Sequence, residues 1–265
     1  WRRPAGWLAV TGVAVALGDP AGAPDELEPL LRAFVRYCTE NGWSVALDEV
    51  SPRLLPLCYR AGLRSFKLGE EAMVDLNGFV TYTLRHKQFR NIRNKFERDG
   101  YTTARRLPPH EPGLIDQLEE VSRDWLALPG HRERGFTLGQ FQRAYIGACP
   151  LFIVLDAAGR VVAFANEIPS YRPGDATIDL MRHRRDAPHG TMDFLFVRLL
   201  ADLQARGYRT FDLGLAPLAG VGDKPSDPLG ERLAHRLAER ASRFCSYKGL
   251  RDYKAKYDPT WESRY

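Results

Sequence analysis

Asp179-Leu180-Met181-Arg182 sets an acid and a guanidinium three positions apart at the end of an apolar stretch. In a mixed αβ sheet the carboxyl ends of central strands face the ligand crevice. There, an acid and an arginine can hold an ammonium group and a phosphate or carboxylate; an ion pair that merely ties down a strand end is the equal alternative. An ideal strand points positions 179 and 182 to opposite faces. Both serve one site only where a bulge or the strand end intervenes. Glu167 stands in Ala163-Phe-Ala-Asn-Glu-Ile-Pro169, among residues where an unpaired acid would be costly to bury. It reads either as a functional partner of Asp179 and Arg182 or as an exposed edge carboxylate. Asp212, in FDLGLAPLAG (211–220), either lines the same crevice or caps a turn, and the turn is preferred.

Two basic stretches suggest anion recognition. In Tyr247–Tyr257, Lys248, Arg251, Lys254 and Lys256 alternate with tyrosines, so cations can neutralise phosphates while rings stack. The stretch 85–99 reads as a helix with Phe89, Ile92 and Phe96 on one face and Lys87, Arg90, Asn91, Asn94 and Arg98 on the other. For each taken alone, a solvated basic face is the commoner explanation. Net charge is +5, yet 81–106 carries eight Lys/Arg against two acids, and 236–256 seven against two. Two cationic islands on an otherwise acidic body point to a polyanionic partner: nucleic acid, anionic lipid, or both.

Other chemistries find little support. Arg185-Asp-Ala-Pro-His-Gly190 offers one glycine where a coenzyme A pyrophosphate cradle needs two, and Pro188 removes an N–H. There is no P-loop, dinucleotide fingerprint or Ser/His/Asp order. The four cysteines are far apart and the six histidines lack ligand spacing, so neither a disulfide framework nor a metal is expected.

The elements that must hold these residues follow from periodicity. Strands are expected at 7–17, 43–47, 63–68, 72–76, 101–107, 151–155, 161–168, 177–182 and 210–213. Helices are expected at 24–41, 51–61, 85–99, 114–128, 138–145, 191–206 and 229–244. Ser51-Pro52 opens one helix and Gly62 closes it. The order suggests an α/β (α+β) fold of two tandem acetyltransferase-like (GNAT-type) units, each a mixed sheet flanked by helices. Their expected spans are 1–107 and 108–265, the second carrying the site. The longest apolar run, Trp7–Leu17, is too short to span a bilayer, which takes about 20 residues. No signal-peptide cleavage site follows it. The chain begins with Trp rather than Met, so it reads as part of a longer polypeptide.

Eight segments carry a more specific resemblance: GDPAG (18–22), FKLGEEAMVDL (66–76), NKFERDGY (94–101), AFANEIP (163–169), TIDLMR (177–182), GTMDFLF (190–196), FDLGLAPLAG (211–220) and YKGLRDYKAKYDPTWESRY (247–265). In this order they resemble the catalytic domain of bacterial phosphatidylglycerol lysyl- or alanyltransferases, the multiple peptide resistance factors. The resemblance implies transfer of an aminoacyl group from aminoacyl-tRNA to the glycerol hydroxyl of phosphatidylglycerol, at the cytoplasmic face of the inner membrane. It also implies an upstream transmembrane region in the parent chain, and resistance to cationic antimicrobial peptides. Aminoacyl-tRNA is then a co-substrate, and with the ester already activated no cofactor is expected. Within this resemblance Asp179 is assigned to the α-ammonium or the attacking hydroxyl, Arg182 to a phosphate or the oxyanion, and Glu167 to the amino-acid pocket. Arg251, Lys254 and Lys256, with Lys248, Asp212, Arg90 and Arg98, are assigned to tRNA or lipid phosphate and the amino acid. A transferase acting on a soluble peptide or protein acceptor, and a non-catalytic tRNA- or membrane-binding module, are the alternatives.

Overall fold

A computed structural model describes residues 7–10, 12–133, 135–136, 139–170, 172–222 and 247–265. The expected helix at 229–244 lies outside them. The chain is mixed α/β, with a three-stranded sheet ordered β1 (Trp7–Val10), β2 (Val13–Leu17), β3 (Ser44–Asp48). A second, seven-stranded sheet is built from β4 (Gly69–Asp75), β5 (Thr102–Arg106), β6 (Leu151–Leu155), β7 (Val161–Ile168), β8 (Asp175–His183), β9 (Thr210–Pro217) and β10 (Thr260–Arg264). Its order is β10-β4-β9-β8-β7-β6-β5.

The chain folds as two compact units: 1–72 with 214–256 and 261–265, and 73–213 with 257–260. These units interleave in sequence, unlike the consecutive spans 1–107 and 108–265 read from element order.

In the first unit, β1 and β2 form an antiparallel hairpin, and β2 and β3 pair in parallel. The stretch 7–17 is therefore two strands rather than one, because Gly12 turns the chain at φ +80°. α1 (Leu27–Glu40) buries Leu31, Phe34 and Cys38, which recur at helical spacing. A short 3-10 turn at Pro52–Leu54 leads into α2 (Leu55–Arg60). Residues 63–68 form no strand. The basic run near the C-terminus is α8 (Tyr247–Ala255), followed by β10, a strand that the mixed composition of TWESR concealed.

The second unit contains β5 to β8, joined antiparallel in succession, with β8 running parallel to β9. Its helices are α3 (Leu76–Thr81), α4 (Lys87–Arg98), α5 (Pro112–Leu126), α6 (Arg143–Ala148) and α7 (Thr191–Ala205). All of β7 up to Glu167 is buried, because helices cover both faces of the sheet. On one face Ile115, Leu118 and Val121 of α5 and Ile146 of α6 pack with Phe164 and Leu180. On the other, α7 is apolar nearly all round, burying Phe194, Leu195, Phe196, Val197, Leu199, Leu200 and Leu203. At about 1.5–3 kcal/mol for each large side chain, this helix contributes much of the unit's stability. α4 lies against α7 through Phe96, stacked on Phe194 at 4.9 Å between centroids. Among the described residues no helix is long and apolar enough to cross a membrane.

Candidate functional site

The pairing of β7 with β8 slips where chemistry was expected. Ala165 faces Met181, but Glu167 faces Ile178, so a two-residue step on β7 spans three residues on β8. The extra residue falls at Asp179-Leu180, a β-bulge that redirects the side chains around it. Asn166, fully buried, holds it open: its side-chain oxygen accepts from the Leu180 N–H at 2.7 Å. The bulge brings Asp179, Leu180 and Arg182 to the α5/α6 side of the sheet. Leu180 packs into the cluster with Ile115, Asp179 meets Tyr145 of α6, and Arg182 meets Ser122 of α5.

Asp179 is half-buried, and each of its oxygens accepts a hydrogen bond. The Gly139 N–H donates to Oδ1 at 2.7 Å, and the Tyr145 hydroxyl donates to Oδ2 at 2.6 Å. Tyr145 in turn accepts from Asn166 Nδ2 at 3.2 Å. Burial first, and then the neighbouring Asp179 carboxylate, push the Tyr145 phenol well above its usual range. It remains protonated and acts as a donor to Asp179. One network thus shapes the bulge and aims the carboxylate.

Gly139 is required for its lack of a side chain. A Cβ there would land on Asp179 Oδ2. A Gly139→Ala variant should fold, since the residue lies in an irregular connection, but with Asp179 displaced. Its activity is expected to fall more than tenfold while its melting temperature moves by only a few degrees. A thermal melt run beside the activity assay checks both, and unimpaired activity would show that the placement of Asp179 does not matter.

Arg182 occupies a different environment. It is 2% exposed. Its guanidinium donates to Ser122 Oγ, donates to Glu133 Oε2 at 2.7 Å, and lies 4.9 Å from the Trp125 ring centroid. Glu133 also accepts from the Phe141 N–H at 3.3 Å, so Arg182 ties the 127–142 connection to the strand end. The guanidinium is enclosed by these partners, and the expected contact with a phosphate or oxyanion is not available to it in this arrangement.

Glu167 departs from expectation in a second way. Its side chain leaves β7 on the face opposite Asn166, and it accepts from Arg105 at 2.9 Å and from both terminal nitrogens of Arg206 at 3.0 Å. These two arginines satisfy the buried acid, which is 8% exposed. The sheet separates it from Asp179, so no shared pocket of Asp179, Arg182 and Glu167 forms.

The remaining candidates are dispersed. In the second unit the Asp212 carbonyl accepts from Thr177 Oγ1 where β8 and β9 pair. Arg90 and Arg98 lie exposed along α4, with Arg98 3.3 Å from Asp99. In the first unit Lys254 is buried and donates to the carbonyls of Gly214 and Leu215 at 2.8 and 2.7 Å. Arg251 is 4.7 Å from the Trp261 ring centroid and 3.6 Å from Glu70, while Lys256 is 4.1 Å from the Tyr253 ring centroid. The side chain of Lys248 lies outside the described residues. Among the described residues no group of three or more His, Cys, Asp or Glu is disposed to hold a metal ion.

Two cavities lie in the second unit away from Asp179. One, about 280 Å³, is bordered by Arg106, His110, Leu114 and Ile153; the other, about 330 Å³, by Arg105, Phe152, Arg198 and Asp202.

Comparison with known proteins gives one consistent result. A family model described as phosphatidylglycerol lysyltransferase, C-terminal, matches residues 8–265. The phosphatidylglycerol lysyltransferase of Bacillus subtilis is 37% identical over 251 residues, covering 95% of this chain and 29% of that protein. That of Staphylococcus haemolyticus is 36% identical, with 95% and 30% covered. The chain thus spans under a third of these curated relatives. The structure of L-PGS from Bacillus licheniformis superposes with a TM-score of 0.84 at 37% identity, covering 97% of this chain and 78% of that one. FemX, at 10% identity, shares the fold with a TM-score of 0.60.

Proposed function

From the premise that this chain belongs to the phosphatidylglycerol lysyltransferase C-terminal family, we propose that it moves a lysyl or alanyl group from aminoacyl-tRNA to the glycerol hydroxyl of phosphatidylglycerol. The names of the relatives favour lysine. Within a longer parent protein anchored by its own membrane region, the reaction takes place at the cytoplasmic face of the bacterial inner membrane. Converting an anionic lipid to a cationic or neutral one lowers the surface charge that attracts cationic antimicrobial peptides.

The chemistry is ester exchange. A headgroup hydroxyl attacks the aminoacyl carbonyl, and the tetrahedral oxyanion collapses with loss of the tRNA ribose oxygen, which takes up the proton that the lipid hydroxyl gives up. No bond needs fresh activation, and we propose no cofactor. Positioning supplies much of the rate, since orienting two reactants is worth about 7–11 kcal/mol. The observation that carries the site is Asp179, a half-buried carboxylate whose orientation is fixed by Tyr145 and Gly139 at a bulge. A carboxylate so held suits the α-ammonium of the aminoacyl group through a charge-assisted hydrogen bond. Arg182 serves the reaction indirectly, through Glu133 and the 127–142 connection.

The test is direct. Incubated with lysyl-tRNA or alanyl-tRNA and phosphatidylglycerol vesicles, the chain should yield a lipid heavier by one aminoacyl residue in mass spectrometry. Product appearing only on added soluble peptides, or no product from either tRNA, would overturn the proposal.

A further inference from the structure

Many arginines of the second unit are paired with acids. Arg105, Arg143, Arg160, Arg184, Arg198 and Arg206 each lie within 4 Å of at least one carboxylate. The outward side of α4 and the turn before it are different. Among the described residues none of Arg85, Lys87, Arg90 and Arg93 has a carboxylate partner, and Arg85, Lys87 and Arg90 are exposed. Like-charged side chains crowded on one helix repel one another. Four cations left without counter-charges within nine residues, on one turn and the helix it opens, are suited to an external anion.

We infer that this face of α4 is the docking surface for the phosphate backbone of the RNA donor, rather than for the lipid surface. The inference rests on the proposed function for the presence of an RNA donor, and goes beyond it in assigning the surface. Three observations favour RNA. The apolar side of α4 is already used: Phe89 and Phe96 are 0% and 1% exposed, which leaves no hydrophobic wedge to enter a lipid interface. Between the cations stand Gln88, Asn91 and Asn94, all exposed; side-chain amides bond to phosphate and ribose oxygens and position a nucleic acid without reading its sequence. Just before the helix, Tyr82 is 71% exposed, an aromatic face of the kind on which an unpaired base stacks.

The test compares the parent chain, Lys87→Glu/Arg90→Glu, and a control reversal at two exposed arginines of the first unit, Arg36→Glu/Arg64→Glu. Each is titrated with uncharged tRNA at several salt concentrations and with phosphatidylglycerol vesicles, and thermal melts check folding. The α4 reversal should weaken RNA binding about tenfold or more, and lower the slope of log affinity against log salt by about 0.7–0.9 for each phosphate that the helix no longer neutralises. Vesicle binding should change no more than in the control. Unchanged RNA affinity, or a loss confined to vesicle binding, overturns the assignment, the second result giving the surface to the membrane. Failure of the proposed reaction is seen separately: a parent chain that binds tRNA through α4 but aminoacylates no lipid refutes the reaction and keeps the surface.

Discussion

Asp179→Asn should lose lipid aminoacylation by about 30-fold to several thousand-fold while melting within a few degrees of the parent chain. The range follows from the charge removed. Truncating one partner of a buried charge pair costs about 2–5 kcal/mol, and each 1.4 kcal/mol is about tenfold. Folding should survive because the amide replaces the carboxylate atom for atom. Its oxygen can still accept from Gly139, and its NH2 group can donate to the Tyr145 oxygen. Initial rates with charged tRNA and phosphatidylglycerol vesicles, set beside a thermal melt, measure both quantities. A folded Asp179→Asn chain with undiminished rate would remove Asp179 from the reaction.

Arg182→Met should act on stability. Its guanidinium is enclosed by Ser122, Glu133 and the Trp125 ring, so the substitution breaks a buried pair and leaves Glu133 without its counter-charge. Removing one member of such a pair costs about 3–5 kcal/mol. Glu133 is 28% exposed at its side chain and regains some water, which places the loss toward the lower end. At about 2–4 °C per kcal/mol for a domain of this size, the melting temperature should fall by roughly 6–12 °C. Calorimetry decides the matter. An Arg182→Met chain that keeps its melting temperature and loses only activity would return the arginine to direct contact with substrate.

This second expectation reverses what the residue pattern suggested, and the reason is instructive. The spacing of Asp179 and Arg182 correctly posed the question of a bulge. The answer lay with Asn166, on a neighbouring strand, whose amide bonds to the Leu180 N–H. Periodicity exposed α4, α5 and α7, because each has a long apolar face to bury. It missed β10, whose five residues mix one aromatic with two charges and two hydroxyls, and it placed a strand at 63–68, just before β4, where none forms. The groups that hold Asp179 left no local signal at all. Gly139 sits in an irregular connection and Tyr145 in a six-residue helix, and both act through tertiary structure. Glu167 was rightly marked as an acid too costly to bury alone, yet its partners, Arg105 and Arg206, are 62 and 39 positions away.

The interleaving of the two units bears on how the molecule is made. Residues 1–72 leave the ribosome before the rest of this chain, but their unit also includes 214–222, 247–256 and 261–265. Nascent chains emerge at about 5–20 residues per second, so the early hairpin and its helices wait roughly ten seconds or longer for their missing complement. Translation therefore finishes the later-starting unit nearly whole before the earlier one can close. During that interval Phe34 and Cys38 of α1 can already pack on Ala14, Trp43 and Val45, so the surface a chaperone would meet is the one around Leu31, Val50 and Cys58 that Tyr265 joins last.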